Sequence, residues 1–284
     1  MRVGLYINSK KKKLPQVLDI IFELFSLDKG EIVFLNAFDF INKRYGLECN
    51  SHNKSEDVDY DVLLAIGGDG TTMSAIRSQF HLNNPILGIH VGNLGFLAES
   101  DLKSCRNTLR ELLEQNFDTQ LRSVFNVTVD GKNYISINDV VIDRGESGRI
   151  IKLNVFDREK NVNSYEGDGL IISTANGSTG YSLSAGGPII SPDLHLFTLT
   201  PICSHSLMTR TIVLSQNSKL SVEFPQRQDK GKLTIDGQTT LQLKENIKID
   251  IEIPLKKVPF IMLNDSDYYK KLKTKMGWHN SRND

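Results

Sequence analysis

Apolar positions in the first hundred residues fall alternately into short unbroken runs and helical spacings. Residues 3–7 form an apolar run that predicts a strand. Residues 14–25 then repeat with helical period through Leu14, Val17, Leu18, Ile21 and Leu24. Runs rich in branched residues recur at 32–35, 62–66 and 85–90, and residues 71–80 read as a helix opened by a threonine cap. Strands alternating with helices predict a parallel sheet with helices on its faces, a Rossmann-like α/β domain.

From Phe125 onward the period changes to two. Residues 125–129 and 134–137 alternate around Asp130-Gly131, a pair suited to a tight hairpin turn. Further strands are predicted at 152–156, 170–173, 220–224, 232–235 and 247–253, so the second domain is expected to be mostly β and sandwich-like. A helix over 104–115 is expected to lead into it. An amphipathic helix over 267–278, with Tyr269, Leu272 and Met276 on one face, is expected to pack back on the first domain. The aromatic residues of that segment, Tyr268, Tyr269 and Trp278, read as packing residues. The division expected is therefore 1–100 plus 264–284 for the α/β domain and 101–263 for the β domain.

Composition narrows the classes. The 284 residues suffice for two moderate domains, and 39% hydrophobic with 24% charged residues is ordinary for a globular enzyme. Thirty-four basic residues balance 34 acidic ones, which removes any general electrostatic case for nucleic acid but leaves room for a local anion site. Cys49, Cys105 and Cys203 are widely spaced and suggest neither a disulfide framework nor a metal pair. No run approaches the ~18 apolar residues of a spanning helix, and the first apolar run is too short for a signal peptide. A soluble, cytoplasmic protein without a membrane partner is expected. The six histidines share no ligand spacing, so no protein-ligated metal is expected. Lys10, Lys11, Lys12 and Lys13 read as a solvated loop after the first strand.

The sharpest local feature is Ile66-Gly67-Gly68-Asp69-Gly70-Thr71-Thr72, where a buried strand runs through three glycines into a helix. Glycines let backbone N–H groups approach phosphate oxygens, and the helix N-terminus adds partial positive charge. A carboxylate repels an anionic ligand unless it has a task. Asp69 could accept a proton from an attacking hydroxyl or help hold a metal carried by the phosphates. The competing reading is a plain tight turn in which Asp69 caps the helix. The segment matches neither the Walker pattern nor Gly-x-Gly-x-x-Gly.

Gly67-Gly68-Asp69-Gly70-Thr71 is shared by NAD kinases, lipid kinases of the diacylglycerol and sphingosine type, and phosphofructokinases. Further along, the chain resembles the NAD kinases over nearly its whole length. Gly88-Ile89-His90-Val91-Gly92-Asn93-Leu94-Gly95-Phe96-Leu97 is similar to their Gly-x-x-x-Gly-x-Leu-Gly-Phe-Leu stretch, and Asn138-Asp139 to their Asn-Glu/Asp pair. Asp168-Gly169-Leu170 with the block from Ser173 to Tyr181, and Asp236-Gly237-Gln238, are similar to two later motifs. The chain departs from the pattern at Ala175-Asn176, at His90 in place of an asparagine, and at Cys203 in place of a small residue.

The resemblance implies transfer of the terminal phosphate of ATP, or of another polyphosphate donor, to the 2′-hydroxyl of the adenosine ribose of NAD, giving NADP. Mg²⁺ or another divalent cation would accompany the donor. Asp69 is the implied base, and Gly67, Gly68, Gly70 and Thr71 the implied phosphate contacts. Implied NAD contacts are Gly70, Asn138, Asp139 and Asp168, the wall Thr179, Gly180 and Tyr181, and more distantly Arg149, Ser184, Cys203 and Gln238. A homodimer or homotetramer is also implied. A lipid kinase, or a sensor that binds NAD or NADP without turnover, are the competing functions. On local grounds alone, Asp168-Gly169, Asn176-Gly177 and Asp236-Gly237 read equally as turns, and Ser178-Thr179 as a helix cap.

Overall fold

The computed structural model describes residues 1–27, 29–47, 59–92, 95–224 and 231–278; Cys49 lies outside them. The chain divides into two units, residues 1–120 with 259–284, and residues 121–258.

In the first unit β1 (Arg2–Ile7), α1 (Leu14–Leu27), β2 (Glu31–Phe34), α2 (Phe38–Tyr45), β3 (Val62–Gly67), α3 (Asp69–Gln79), β4 (Ile86–His90) and α4 (Cys105–Leu113) follow one another. The strands lie in the order β2-β1-β3-β4, all parallel, and the strand Val258–Met262 continues the sheet beside β4. Every residue of β3 is buried, because α1 and α4 cover one face while α3 packs on the other. That two-sided burial is why the strand reads as an unbroken apolar run. Helix α2 was not expected: it is short and polar, with Ile41 its one buried residue.

The helix expected to lead into the β domain belongs instead to the first unit. Cys105, Leu109 and Leu112 of α4 join the same apolar cluster as Val17, Leu18 and Ile21 of α1, so the division falls after Gln120 rather than at residue 100. The C-terminal helix, Tyr268–Met276, also belongs to this unit. Asp267 caps it by accepting the Lys270 N–H at 2.9 Å. Lys271 anchors it through a 2.5 Å contact with Glu99, a carboxylate only 4% exposed, and a 3.1 Å bond to the Ala98 carbonyl. Leu272 is buried, but Tyr269 and Trp278 are 66% and 54% exposed, so the expected apolar face is narrower than its sequence spacing; Tyr269 meets the Tyr268 ring edge-on at 5.5 Å rather than the core.

The second unit is two six-stranded antiparallel sheets. One runs Lys160–Gly167, Ile151–Asp157, Lys219–Glu223, Lys248–Glu252, Phe125–Val129, Lys132–Ser136; the other runs Ile212–Ser215, Leu196–Ile202, Gly169–Ser173, Asp139–Asp143, Gly231–Ile235, Thr239–Leu243. Alternate residues of both meet in one core. Phe125 and Phe197, one from each sheet, stack with ring centroids 4.9 Å apart. Asp130 and Gly131 turn the first hairpin with φ of 48° and 71°, the left-handed pair that such a two-residue turn demands. A short helical segment, Asn176–Thr179 and Tyr181–Ser184, packs on Gly169–Ser173 from outside the core, leaving that strand buried on both faces.

Candidate functional site

In the first unit the chemistry-bearing residues gather at the carboxyl ends of β3 and β4. Helix α3 starts at Asp69, two residues earlier than expected, with Gly68 in extended backbone before it. Thr71 is therefore not the cap. Its hydroxyl accepts the Gly68 N–H at 3.3 Å, and its side chain fills the space that a Cβ on Gly67 would need.

Asp69 does not cap its own helix. Its carboxylate reaches across the fold, where Oδ2 accepts the Phe96 N–H at 2.8 Å and Oδ1 the Leu97 N–H at 3.2 Å. Two amides hold the group in one orientation, and each oxygen keeps a second lone pair for a further partner. This accounts for Gly95: a Cβ there would overlap all three carboxylate atoms of Asp69. We expect Gly95→Ala to displace the carboxylate, at an overpacking cost of about 1–3 kcal/mol. If the carboxylate is catalytic, that shift lowers turnover by roughly 10²-fold. Unchanged turnover in a folded Gly95→Ala protein would separate the carboxylate's position from activity.

His90 ends β4 in register with Gly67 and is 6% exposed. Burial lowers its pKa, Asp69 opposes that shift, and Lys11 and Lys275 reinforce it. The Gly92 backbone favours the protonated ring slightly, yet Nδ1 has no partner in hydrogen-bonding geometry.

In the second unit the sequence-predicted residues separate into two groups. The first surrounds Asn138 and Asp139. The segment from Thr174 to Gly177 presses against them: the Thr174 N–H donates to the Asn138 carbonyl at 2.9 Å, and a Cβ on Gly177 would strike that same carbonyl. Gly180 completes the wall, since a Cβ on it would stand 3.7 Å from Asp139 Oδ2 and 4.0 Å from Asn138 Nδ2. Thr179 hydrogen-bonds back to the Asn176 carbonyl, while Tyr181 and Ser184 are exposed on the following helical turn. Asn176-Gly177 is thus a 3₁₀ turn rather than a hairpin. Neither Ser178 nor Thr179 caps the helix at Tyr181; Gly180 precedes it without a side-chain cap.

Beneath the pair lies Asp236, for which the family resemblance implies no task. Its Oδ1 accepts the backbone N–H groups of Ile137, Asn138 and Asp139 at 3.0, 2.8 and 3.3 Å, and the Ser136 hydroxyl at 2.9 Å. The backbone at Asp236 and Gly237 is left-handed, as their hairpin turn requires, and Gln238 follows exposed.

Burial, and then the nearby Asp236 charge, raise the Asp139 carboxyl to about 7. An unfolded aspartate titrates near ~4, so folding favours the proton. This contribution is fully present below about 4 and is lost as pH rises to about 7. Asp139→Asn is therefore expected to flatten the fall in melting temperature between these pH values. An unaltered slope would show that Asp139 does not carry it.

The second group is Asp168, Arg149 and Cys203. Asp168 is half-buried and pairs with Arg144 at 3.0 Å. It joins two strands rather than forming a turn, with its N–H on the Ile202 carbonyl at 3.0 Å. Arg149 and Cys203 are exposed in neighbouring connections. Register sets the separation of the two groups: Ser173 faces Asp139 at one end of the strand pair and Gly169 faces Asp143 at the other. Four residues of strand put them ~13 Å apart within one chain.

Residues 29–117 match the ATP-NAD kinase N-terminal domain and residues 137–263 the ATP-NAD kinase C-terminal domain. An NAD kinase of Clostridium beijerinckii is 34% identical over 281 residues, covering 96% of this chain and 95% of that one. An NAD kinase of Clostridium botulinum is 32% identical over 280 residues, covering 97% and 96%. In fold, the chain is similar to yeast NADH kinase complexed with NADH (TM-score 0.86, 22% identity, 100% of this chain and 89% of that one). It is also similar to an NAD kinase from Archaeoglobus fulgidus in complex with ATP (TM-score 0.74, 20% identity, 99% and 100%). With both family domains matched in chain order and relatives aligned nearly end to end, the chain belongs to the NAD kinase family of phosphotransferases.

Proposed function

We propose that the protein transfers the terminal phosphoryl group of ATP, or of another polyphosphate donor, to the 2′-hydroxyl of the adenosine ribose of NAD, releasing NADP. The observation that carries this reading is the Asp69 carboxylate, fixed by two backbone amides at the head of a glycine turn and a helix N-terminus. The turn and helix suit a phosphate chain, and the carboxylate suits a hydroxyl about to lose its proton. Phosphoryl transfer depends chiefly on position and charge, so Asp69 acts by receiving that proton as the oxygen attacks.

Asn138 and Asp139 bind the dinucleotide. The Asn138 Oδ1 is buried without a partner, and an amide beside a carboxyl can serve a base edge and ribose hydroxyls together. With a pKa raised to about 7, Asp139 can change protonation to suit its ligand. Mg²⁺ in this scheme arrives on the donor's phosphates and screens their charge. Among the described residues no helix is long and apolar enough to cross a membrane. The reading includes a cytoplasmic homodimer or homotetramer, which light scattering would check.

The test is an NADP-specific coupled assay with NAD or NADH, Mg²⁺, and either ATP or polyphosphate. NADP formation identifies reaction and donor together. NAD bound without NADP from any donor would replace the enzyme with a sensor.

A further inference from the structure

The four lysines after β1 are not equivalent. Lys10, Lys12 and Lys13 are exposed, as a solvated loop would have them, but Lys11 is half-buried. The loop is fastened from several sides. Asn8 donates its N–H to the Ile66 carbonyl at 2.9 Å, accepts the Lys10 N–H on Oδ1 at 3.1 Å, and extends Nδ2 to 3.5 Å from the Thr71 hydroxyl. The Lys11 carbonyl accepts the Leu14 N–H at 3.0 Å.

This places Lys11 beside the glycine turn. A Cβ on Gly92 would meet Lys11 Nζ at 3.8 Å and His90 Cε1 and Nδ1 at 3.4 and 3.9 Å, and one on Gly68 would meet His90 Nε2 at 3.5 Å. The imidazole thus stands between the two glycines with Lys11 at its outer side. Strand order adds a separate argument. With order β2-β1-β3-β4, the chain moves one way from β1 and the other way from β3, and ligands of open α/β sheets sit beyond the carboxyl ends of strands at such a switch. Lys11 follows β1 there, the glycine turn follows β3, and His90 ends β4.

We infer that Lys11 and His90, with the N-terminus of α3, form the seat for the phosphoryl donor's polyphosphate chain. Lys11 Nζ supplies charge and His90 Nδ1 supplies a hydrogen bond to a phosphoryl oxygen. This rests on the donor half of the proposed function and assigns it Lys11, which no motif marked, and His90, which stood out only as a departure from the family pattern. Two features call for an anion here: a nearly buried ring nitrogen with no partner in hydrogen-bonding geometry, and the approach of two lysines, Lys11 and Lys275, to that ring, where Asp69 opposes them. Those are the charged groups that act on the ring. In the free protein burial and the two lysines favour the neutral ring; a bound polyanion reverses the balance, so binding takes up a proton.

The experiment measures inorganic tripolyphosphate binding to the full chain by calorimetry, in two buffers of different ionisation enthalpy, beside donor and NAD kinetics. Lys11→Met, which keeps the length of the side chain, is expected to weaken tripolyphosphate and raise the donor KM by about tenfold or more, with the KM for NAD unchanged. His90→Asn is expected to take up fewer protons on binding than the unaltered protein, although the ligand's own titration is the same in both. Unchanged affinity in Lys11→Met, or equal proton uptake in His90→Asn, overturns the seat. If no NADP is ever formed yet tripolyphosphate binds through Lys11, the proposed reaction falls and the seat stands. If NADP is formed and Lys11→Met behaves as the unaltered protein, the seat falls and the reaction stands.

Discussion

Asp69→Asn is expected to lower turnover by ~10²–10⁴, the usual worth of a general base, with NAD affinity little changed. The structure adds a second expected effect. Asp69 receives one amide on each oxygen, from Phe96 and Leu97. An asparagine has one oxygen, so its NH₂ must face one of those N–H groups donor to donor. The loss of an acceptor for a partly buried amide costs about 1–3 kcal/mol. The variant should therefore melt earlier as well as turn over slowly, and the two are separated by assaying well below the transition. Turnover retained while NAD binding is lost would remove Asp69 from the chemistry.

The largest expected effect on stability is at Asp236. Asp236→Ala removes the acceptor shared by three consecutive backbone N–H groups, while the Ser136 hydroxyl, which also bonds to Asp236, keeps the Asp139 carbonyl at 2.9 Å. Each buried donor left without a partner costs about 1–3 kcal/mol, and whole domains are stable by only about 5–15 kcal/mol. One compensation exists: removing the Asp236 charge relieves Asp139 of a like neighbour. It does not restore the turn that presents Asn138 and Asp139. NAD affinity and melting temperature are expected to fall together. Asp236→Asn, which keeps one oxygen, should lose less of both. Normal melting with normal NAD affinity in Asp236→Ala would show that the turn holds itself.

Much of this was legible in the chain. The unbroken apolar run of β3 and the alternation from Phe125 announce a strand covered on both faces and a strand lining a sandwich core, because side-chain period follows directly from which faces are covered. Edge elements such as Ile212–Ser215, with half-buried and exposed residues in turn, carry too little apolar signal to be found. The assignment of α4 failed for a different reason: its apolar face is visible in the sequence, but the partner of that face is not.

At the candidate site, residue type was readable and connectivity was not. Gly-Asp-Gly suggested a carboxylate among phosphate contacts, but no spacing foretells that Asp69 bonds to amides 27 and 28 residues away. Lys11 was hidden among identical neighbours, and only burial distinguishes it. Asp236 was passed over because Asp-Gly describes a turn equally well. A φ of 50° and a carboxylate aimed at another strand's turn are both true of it.

A carboxylate gripped on both oxygens cannot swing to follow its substrate. The adenosine ribose of NAD presents adjacent 2′ and 3′ hydroxyls that differ little in acidity, so chemistry alone would not choose between them. In the proposed reaction, with Asp69 held by its two amides, the choice passes to whatever fixes the ribose. On the proposal that Asn138 and Asp139 bind the dinucleotide, regioselectivity becomes a property of that grip: loosening either is expected to yield 3′-phosphorylated product alongside NADP, a leak that chromatography of the products would reveal even where the overall rate falls only modestly.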